Sequence, residues 1–459
     1  MTARTVHSGI LRAYDVRGIF GDTLFTEDAR AIGRAFATRM AADGARTVCV
    51  GCDGRLSTPE LEIALTEGLQ ASGADVIRIG RGPTPMLSFA IHHLEADGGV
   101  MVTGSHNPPD HNGFKMTLSG KPVFGNEIQV LGRICESGDY AAGSGTVREE
   151  SVSDAYVARL VRDAEVPDGL VAAWDTGNGS AGEVLVSMTD ALAGRHLLLN
   201  ERIDGTFPAH HPDPTVEANF DQLRGAVAGN GCGVGFAFDG DGDRIGMIDG
   251  KGRILWGDQI VALIARDVLA GRPGATVIAD VKASDLLFDE VARLGGRPLI
   301  WNVGHSLIKA KMAETGSPLA GEMSGHIFIA DEYYGFDDAL YAAVRMLRVL
   351  ARTGKTLDAL YDELPVMVNT PELRFECADE RKFAVIDEVR ARLRDDGADI
   401  FDLDGVRVST PGGWWLLRAS NTQAALVARC EGRDQASLEA LKSELVRQLR
   451  ASGIEPPGF

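Results

Sequence analysis

At 459 residues the chain is too long for a single hydrophobic core and implies about three or four domains. Its 44% apolar and 24% charged content is that of a globular protein. A formal charge of −19 argues against wholesale binding to nucleic acid or an anionic membrane surface, so an anionic substrate would need a locally basic cleft. No apolar run approaches the ~18 residues of a transmembrane helix, and the first residues carry no signal-peptide pattern. The six cysteines are too few and too scattered for a disulfide framework, which points to a reducing compartment, the cytoplasm. Cys49 and Cys52 form a Cys-x-x-Cys without a second pair, and Cys49 falls in an apolar strand pattern, so both read as core thiols.

In chain order, Tyr14, Asp15 and Arg17 form a turn suited to an anion or to a simple ion pair. A unit then recurs three times. Thr47–Gly51 reads as a strand ending near Asp53, followed by a helix from Pro59 to Ala71 and a return strand at Val76–Ile79. The second copy has a strand at Leu170–Trp174 ending at Asp175, a helix from Gly182 to Leu192 and a strand at Leu197–Leu199. The third has Thr276–Ala279 ending at Asp280, a helix from Ser284 to Leu294 and a strand at Pro298–Trp301. These are βαβ units, spaced too widely for a solenoid, and they predict three similar α/β domains with mixed, mostly parallel sheets. After Pro371 the pattern changes to short strands at Arg374–Cys377, Val406–Val408, Trp414–Arg418 and Ala425–Arg429, with helices at Phe383–Leu393 and Ala436–Leu449. That predicts a C-terminal α+β domain with an antiparallel sheet. The expected domains are 1–151, 152–253, 254–365 and 366–459.

Four stretches carry chemistry. The apolar strand Gly99–Val102 delivers Thr103-Gly104-Ser105-His106-Asn107-Pro108-Pro109, a hydroxyl on a loop stiffened by two prolines. Such a serine can act as a nucleophile or a phosphate carrier, although most Ser-His-Asn tripeptides are ordinary polar turns. Asp239-Gly240-Asp241-Gly242-Asp243-Arg244 follows the apolar strand Val234–Phe238. On an extended backbone the three carboxylates point to one side, and a divalent cation is the natural neutraliser. Oxygen-only ligands suit Mg²⁺. A Ca²⁺ EF-hand fails, because the sixth residue is Arg244 and the twelfth Gly250. Gly321-Glu322-Met323-Ser324-Gly325-His326 places a carboxylate, a hydroxyl and an imidazole at alternate positions, a sugar-hydroxyl reader if extended. Arg418-Ala419-Ser420-Asn421-Thr422, at a strand-to-turn junction, offers a fork, two hydroxyls and an amide to a phosphate. A rival reading comes from Gly177-Asn178-Gly179-Ser180-Ala181-Gly182, which has the spacing of a dinucleotide fingerprint with Glu201 about 20 residues on. A dehydrogenase is therefore the runner-up class, weakened by Asp175, which has no role in that fingerprint.

These elements, with Asn112-Gly113-Phe114-Lys115 and Gly304-His305-Ser306-Leu307-Ile308-Lys309, resemble the α-D-phosphohexomutase superfamily over essentially the whole chain, closest to its bacterial phosphomannomutase/phosphoglucomutase group. Cys52, in Gly51-Cys52-Asp53-Gly54-Arg55, stands where relatives often carry arginine and lies outside these motifs. The resemblance implies four domains around one central cleft, with a hinge before the fourth. It implies that Ser105 is carried as phosphoserine and that Asp239, Asp241 and Asp243, with a phosphoserine oxygen of Ser105, hold Mg²⁺. It implies transfer between the 1- and 6-positions of mannose or glucose phosphates through a hexose 1,6-bisphosphate, which also serves as activator. Arg418, Ser420, Asn421 and Thr422 would grip the idle phosphate, with Tyr14 and Arg17 near the reaction centre, and Glu322, Ser324 and His326 would read the sugar. Lys115, Arg244, His305, Lys282 and His106 would stabilise charge or move protons, with Lys115 and His305 the leading acid/base pair. The expected unit is a monomer, with a dimer as the alternative, acting on small hexose phosphates with no nucleic acid or membrane partner. Phosphoglucosamine mutases usually carry Gln where Met323 stands, which favours mannose and glucose phosphates. A Mg²⁺-dependent sugar phosphatase could use the same serine and metal.

Overall fold

The computed structural model describes residues 4–420 and 424–455. Four sheets follow one another along the chain. In the first, Gly98–Val102 lies between Thr47–Cys52 and His111–Leu118 and is buried along its whole length. Thr47–Cys52, Asp75–Arg81, Gly98–Val102 and the edge strand Val147–Glu149 run parallel, while His111–Leu118 is antiparallel to both of its neighbours, Gly98–Val102 and the other edge strand, Val16–Ile19. The second sheet centres on Val234–Phe238, parallel to Val171–Asp175, which is parallel to Arg195–Leu199, and is completed by the antiparallel strands Ile245–Asp249 and Ile254–Leu255. The third pairs Thr276–Asp280 in parallel with Arg297–Trp301 and Leu319–Gly321, and adds Ile327–Ile329 antiparallel. The fourth is wholly antiparallel, with Ala425–Gly432 and Gly413–Ala419 at its centre.

The fold is thus three α/β units with mixed sheets and a C-terminal α+β unit, as expected. Each of the three repeated strand-helix-strand units is present: the helices are Thr58–Ala71, Gly182–Ala191 and Asp285–Arg293. Ser284 caps the last of these by accepting the Leu286 N–H, so it precedes the helix rather than starting it.

Burial explains how the units join. Residues of the second and third sheets share one apolar core with Ile77, Ile79, Met86 and Phe89 from the first unit. The C-terminal unit has a core of its own around Trp415, Leu417, Leu426 and Leu445. It meets the third unit through a small apolar contact, Val281 with Trp414 and Leu416, and through buried polar groups. Arg407 donates to the carbonyls of Val281 and Ala283 (2.7 and 2.8 Å), and Glu431 accepts from Ser284 Oγ and Trp414 Nε1, both at 2.9 Å. No helix among the described residues is long and apolar enough to cross a membrane.

Candidate active site

Ser105 sits where the central strand of the first sheet ends, in the left-handed backbone region at φ +50°. Such a conformation costs a non-glycine residue roughly 1–2 kcal/mol, so surrounding groups must hold it. Arg55 does so. Its guanidinium is buried and donates to the carbonyls of Ser105 (2.7 Å), Asn107 (2.6 Å), Pro108 and His111 (2.9 Å). Asp53 lies 3.2 Å from Arg55 Nε and accepts from the Gly104 N–H at 3.1 Å. Thr103 Oγ1 accepts the Ser105 N–H at 2.8 Å. Two prolines suggest the loop's stiffness in the sequence; in the structure Asp53 and Arg55 anchor it.

The resulting serine is buried, with Oγ 3.0 Å from Asp239 Oδ2 and 3.2 Å from His106 Nδ1. The loops carrying Ser105 and Asp239 touch at Gly240, where any Cβ would collide with the Ser105 carbonyl.

Asp239, Asp241 and Asp243 are fully buried and their ligand atoms lie within 4.8 Å of one another. They converge by a different route from the extended alternation expected. The strand stops at Phe238 and the backbone turns, with Gly242 N–H donating to the Asp239 carbonyl and Asp239 Oδ1 accepting from the N–H groups of Asp243 and Arg244. Lys115 reaches this cluster from the strand His111–Leu118 of the first sheet, 2.7 Å from Asp241 Oδ2 and in contact with Asp243. Burial alone would lower the Lys115 pKa, but Asp241, Asp243 and Asp239 outweigh it and hold the ammonium above its ordinary range. Burial, with Asp241 and Asp243 beside it, pushes Asp239 well above the carboxylate range; burial also works against Asp241, but Lys115 holds it below. Asp241 Oδ1 and Asp243 Oδ1 remain buried without a hydrogen-bond partner. Two orphaned carboxylate oxygens beside Asp239 and a hydroxyl make an all-oxygen donor set, which fits a hard divalent cation.

The supposed dinucleotide fingerprint has another task. Ser180 N–H donates to the Gly240 carbonyl at 2.9 Å, so the loop buttresses the three-aspartate turn. Asp175 accepts from the Gly177 N–H and Asn200 and pairs with His210 at 2.9 Å. The loop is filled by protein, which removes the dehydrogenase reading.

The Glu322–His326 segment also turns rather than extends. Its strand ends at Gly321, Gly325 N–H donates to the Glu322 carbonyl, and Glu322 N–H donates to the His326 carbonyl. Glu322 is buried and accepts the Gly304 N–H at 2.7 Å. Ser324 is half-buried on the turn. His326 Nε2 accepts from Arg244 Nε at 2.9 Å, while Nδ1 lies 3.0 Å from Asp337 Oδ2 and 3.5 Å from Asp243 Oδ1. Its ring stacks on His305, which meets Tyr14 edge-on. Burial, then Lys309, keeps His305 well below the ordinary histidine value; burial, then Arg244 and Arg17, does the same for His106. Asp337 also pairs with Lys309 Nζ at 2.8 Å. Asp243, His326 and Asp337 form a second group close enough for a cation, but it shares Asp243 with the first, and Arg244 and Lys309 already engage His326 and Asp337.

A chain of contacts joins these loops to the C-terminal unit. Arg17 donates to Asn107 Oδ1 at 2.5 Å and pairs with Asp15. Tyr14 OH donates to the Val303 carbonyl at 2.9 Å. Val303 N–H donates to Asp404 Oδ2 at 2.9 Å, and Asp404 pairs with Arg418. Lys282 is turned to Glu372 of the C-terminal unit, Nζ to Oε2 at 3.1 Å. The Ser420 carbonyl accepts from Lys382 Nζ at 2.7 Å. Asn421 and Thr422 lie outside the described residues. Most expected site residues are therefore joined by direct contacts. Sequence reasoning assigned no role to Arg55, Asp337 or Asp404; for Arg55 and Asp404 the signal available was an Asp-Gly turn with an arginine one or two residues beyond.

Family models describing the three α/β/α domains and the C-terminal domain of phosphoglucomutase/phosphomannomutase match residues 9–141, 154–252, 256–367 and 372–448. The chain belongs to the phosphoglucomutase/phosphomannomutase family. A phosphomannomutase/phosphoglucomutase of Pseudomonas aeruginosa is 41% identical to it, over 98% of this chain and 97% of the relative. A phosphoglucomutase of Neisseria gonorrhoeae is 41% identical over 95% of each. The crystal structure of a phosphoglucomutase/phosphomannomutase family protein from Burkholderia thailandensis, 42% identical, superposes with a TM-score of 0.93 over 98% of each chain. As a member of this family the chain is a phosphohexomutase, and its three buried aspartates could hold the metal ion.

Proposed function

We propose that the protein interconverts the 1- and 6-phosphates of mannose and glucose, with Ser105 as phosphoryl carrier and a hexose 1,6-bisphosphate as intermediate and activator. The observation that carries this reading is the placement of Ser105 Oγ, buried and 3.0 Å from Asp239 Oδ2 in a cluster of three carboxylates. Asp239, Asp241, Asp243 and a phosphoryl oxygen on Ser105 would hold Mg²⁺, which supplies charge neutralisation and polarisation of the phosphoryl group.

In the first half-reaction the P–O bond to Ser105 breaks as a P–O bond forms to the free sugar hydroxyl, whose proton passes to a base. The bisphosphate turns over, and its other phosphoryl group returns to Ser105 as the sugar oxygen regains a proton. His305, half-buried and stacked on His326, and Lys115, lying on Asp241 and Asp243, are the acid/base pair in this reading. Arg17, His106 and Arg244 stabilise charge around Ser105, and Glu322, Ser324 and His326 read the sugar hydroxyls. Arg418, Ser420, Asn421 and Thr422 grip the idle phosphate, with Tyr14 and Lys282 lining the approach. The anion site that the net charge demanded is supported by the six cations Arg17, Lys115, Arg244, Lys282, Lys309 and Arg418.

We divide the chain near 151, 254 and 366, in keeping with the four sheets and the limits of the four family matches. The separate core of the C-terminal unit suits it to hinge while the bisphosphate turns. The active unit in this reading is a monomer, with a dimer as the alternative. Six free cysteines support a reducing compartment, the cytoplasm. The test is incubation with Mg²⁺, catalytic glucose 1,6-bisphosphate and either glucose 1-phosphate or mannose 1-phosphate. Formation of the 6-phosphate is expected; release of inorganic phosphate in its place would overturn the reading.

A further inference from the structure

Asp404 belongs to no expected site, yet it lies between the two loops that a hexose phosphate would have to engage together. It sits on the Asp404-Gly405 turn before the strand Val406–Thr410, and Gly405, at φ +81°, brings that turn against the backbone and Cβ of Arg418. Its oxygens take two donors from Arg418, Oδ1 to Nε and Oδ2 to Nη2, both at 3.1 Å. Both side chains are largely buried, 13% and 7% exposed. A guanidinium has five N–H groups in a rigid plane. Asp404 uses the Nε/Nη2 edge, so the Nη1 hydrogens and the outer Nη2 hydrogen remain for a phosphate. Asp404 Oδ2 also accepts the Val303 N–H at 2.9 Å. Val303 in turn accepts Tyr14 through its carbonyl and precedes Gly304, whose N–H is held by Glu322.

We propose that Asp404 is a positioning residue for the phosphohexomutase reaction: it aims the free edge of Arg418 at the idle phosphate of the hexose phosphate and ties that grip to the Val303–His305 loop. The proposal rests on the functional reading above. Sign distinguishes it from an effect of charge. A carboxylate beside an anion site repels the anion, so if Asp404 acted by charge alone its removal would tighten phosphate binding. If it positions Arg418, its removal loosens binding, because the arginine must be ordered anew each time.

Asp404→Ala is expected to raise KM for glucose 1-phosphate about tenfold, the scale of a lost charge-assisted pair, with kcat changed less than about threefold. In an Arg418→Ala background the same change is expected to add less than about twofold, since the group it positions is gone. Hydrogen exchange of the Val303 amide should quicken in Asp404→Ala. Asp404→Asn keeps the volume and one acceptor oxygen; it should fold if the alanine variant does not and show an intermediate KM. Binding of inorganic phosphate, followed by calorimetry on the full chain, gives the same comparison without turnover. An unchanged or tighter phosphate affinity in Asp404→Ala or Asp404→Asn, or full additivity with Arg418→Ala, would overturn the proposal. A wild-type protein that makes no 6-phosphate would overturn the functional reading instead, leaving the phosphate-binding comparison to decide Asp404.

Discussion

Replacing Arg55 by Met should disable the enzyme without touching any group that contacts the sugar. The side chain volume is roughly kept, but four carbonyls lose their donor and Asp53 loses its counter-ion. Asn107, Pro108 and His111 are not fully buried, so water can replace three of these bonds. The Ser105 carbonyl is buried, and leaving it unpaired costs about 1–3 kcal/mol. Asp53 keeps the N–H groups of Gly104 and Arg55 and the Thr58 hydroxyl as donors, yet a buried charge stripped of its partner costs several kcal/mol more, ~3 at the low end. The loop is thus destabilised by roughly 4 kcal/mol, beyond the 1–2 kcal/mol by which the left-handed Ser105 is already strained. A bias of that size is about a thousandfold in population. Arg55→Met is therefore predicted to lower kcat by about 10²–10³-fold while KM for glucose 1-phosphate stays within about threefold, because the sugar and phosphate loops lie elsewhere. A coupled assay for glucose 6-phosphate measures both, and limited proteolysis of the 103–111 loop reports its loosening. A variant with activity within threefold of wild type and an unaltered digestion pattern would refute Arg55 as the anchor of Ser105.

Other outcomes follow from the same geometry. Removing divalent metal with a chelator should bring turnover to background, and Mg²⁺ should restore it; turnover that survives metal removal would contradict the role given to the three aspartates. Burial alone would raise the Glu372 pKa, but Lys282 and Arg374 outweigh it and bring it from 4.5 to about 2. The folded value is depressed, so this stabilisation is fully present above about pH 4.5 and fades as the pH falls towards 2. Glu372→Gln should therefore cost about 2 kcal/mol at neutral pH in a urea titration followed by tryptophan emission, and variant and wild type should converge in acid; a gap independent of pH would exclude the ion pair as its cause. Burial pushes the Cys49 and Cys52 thiols up to about 12, so native-state thiol titration should leave both unmodified; rapid disulfide formation between them would contradict their reading as core thiols.

The strand-helix-strand repeats were legible because the first strand of each is an apolar run buried along most of its length, while the return strands Arg195–Leu199 and Arg297–Trp301, at sheet edges and only half-buried, still read as short apolar runs. The candidate site was legible because Ser105 and the three aspartates follow soon after buried strands and Arg418 is the penultimate residue of one, positions where side chains leave a sheet. Alternation misled at Asp239–Asp243 and Glu322–His326. There glycines let the chain turn, so carboxylates meet around a loop rather than along one face. The glycine-rich Gly177–Gly182 loop supported only a disfavoured runner-up reading, and its small residues pack closely against Gly240. Arg55, Asp337 and Asp404 were given no role because each works by meeting a partner elsewhere in the chain, which an Asp-Gly turn does not name: Arg55 with Ser105, Asp337 with His326, Asp404 with Arg418 and Val303. An arginine that donates to four carbonyls looks like any surface arginine until those carbonyls are placed around it.

Phosphoryl transfer through Ser105 is open to direct measurement. The protein can be loaded from glucose 1,6-bisphosphate, freed of small molecules and mixed with one equivalent of glucose 1-phosphate in Mg²⁺, while intact mass and peptide mapping follow the phosphoryl group. The prediction is one phosphoryl group on Ser105 that leaves as the bisphosphate forms and is restored as glucose 6-phosphate forms, with no loading of Ser105→Ala. A phosphoryl group on another residue, or its departure as inorganic phosphate at the same rate, would contradict the account.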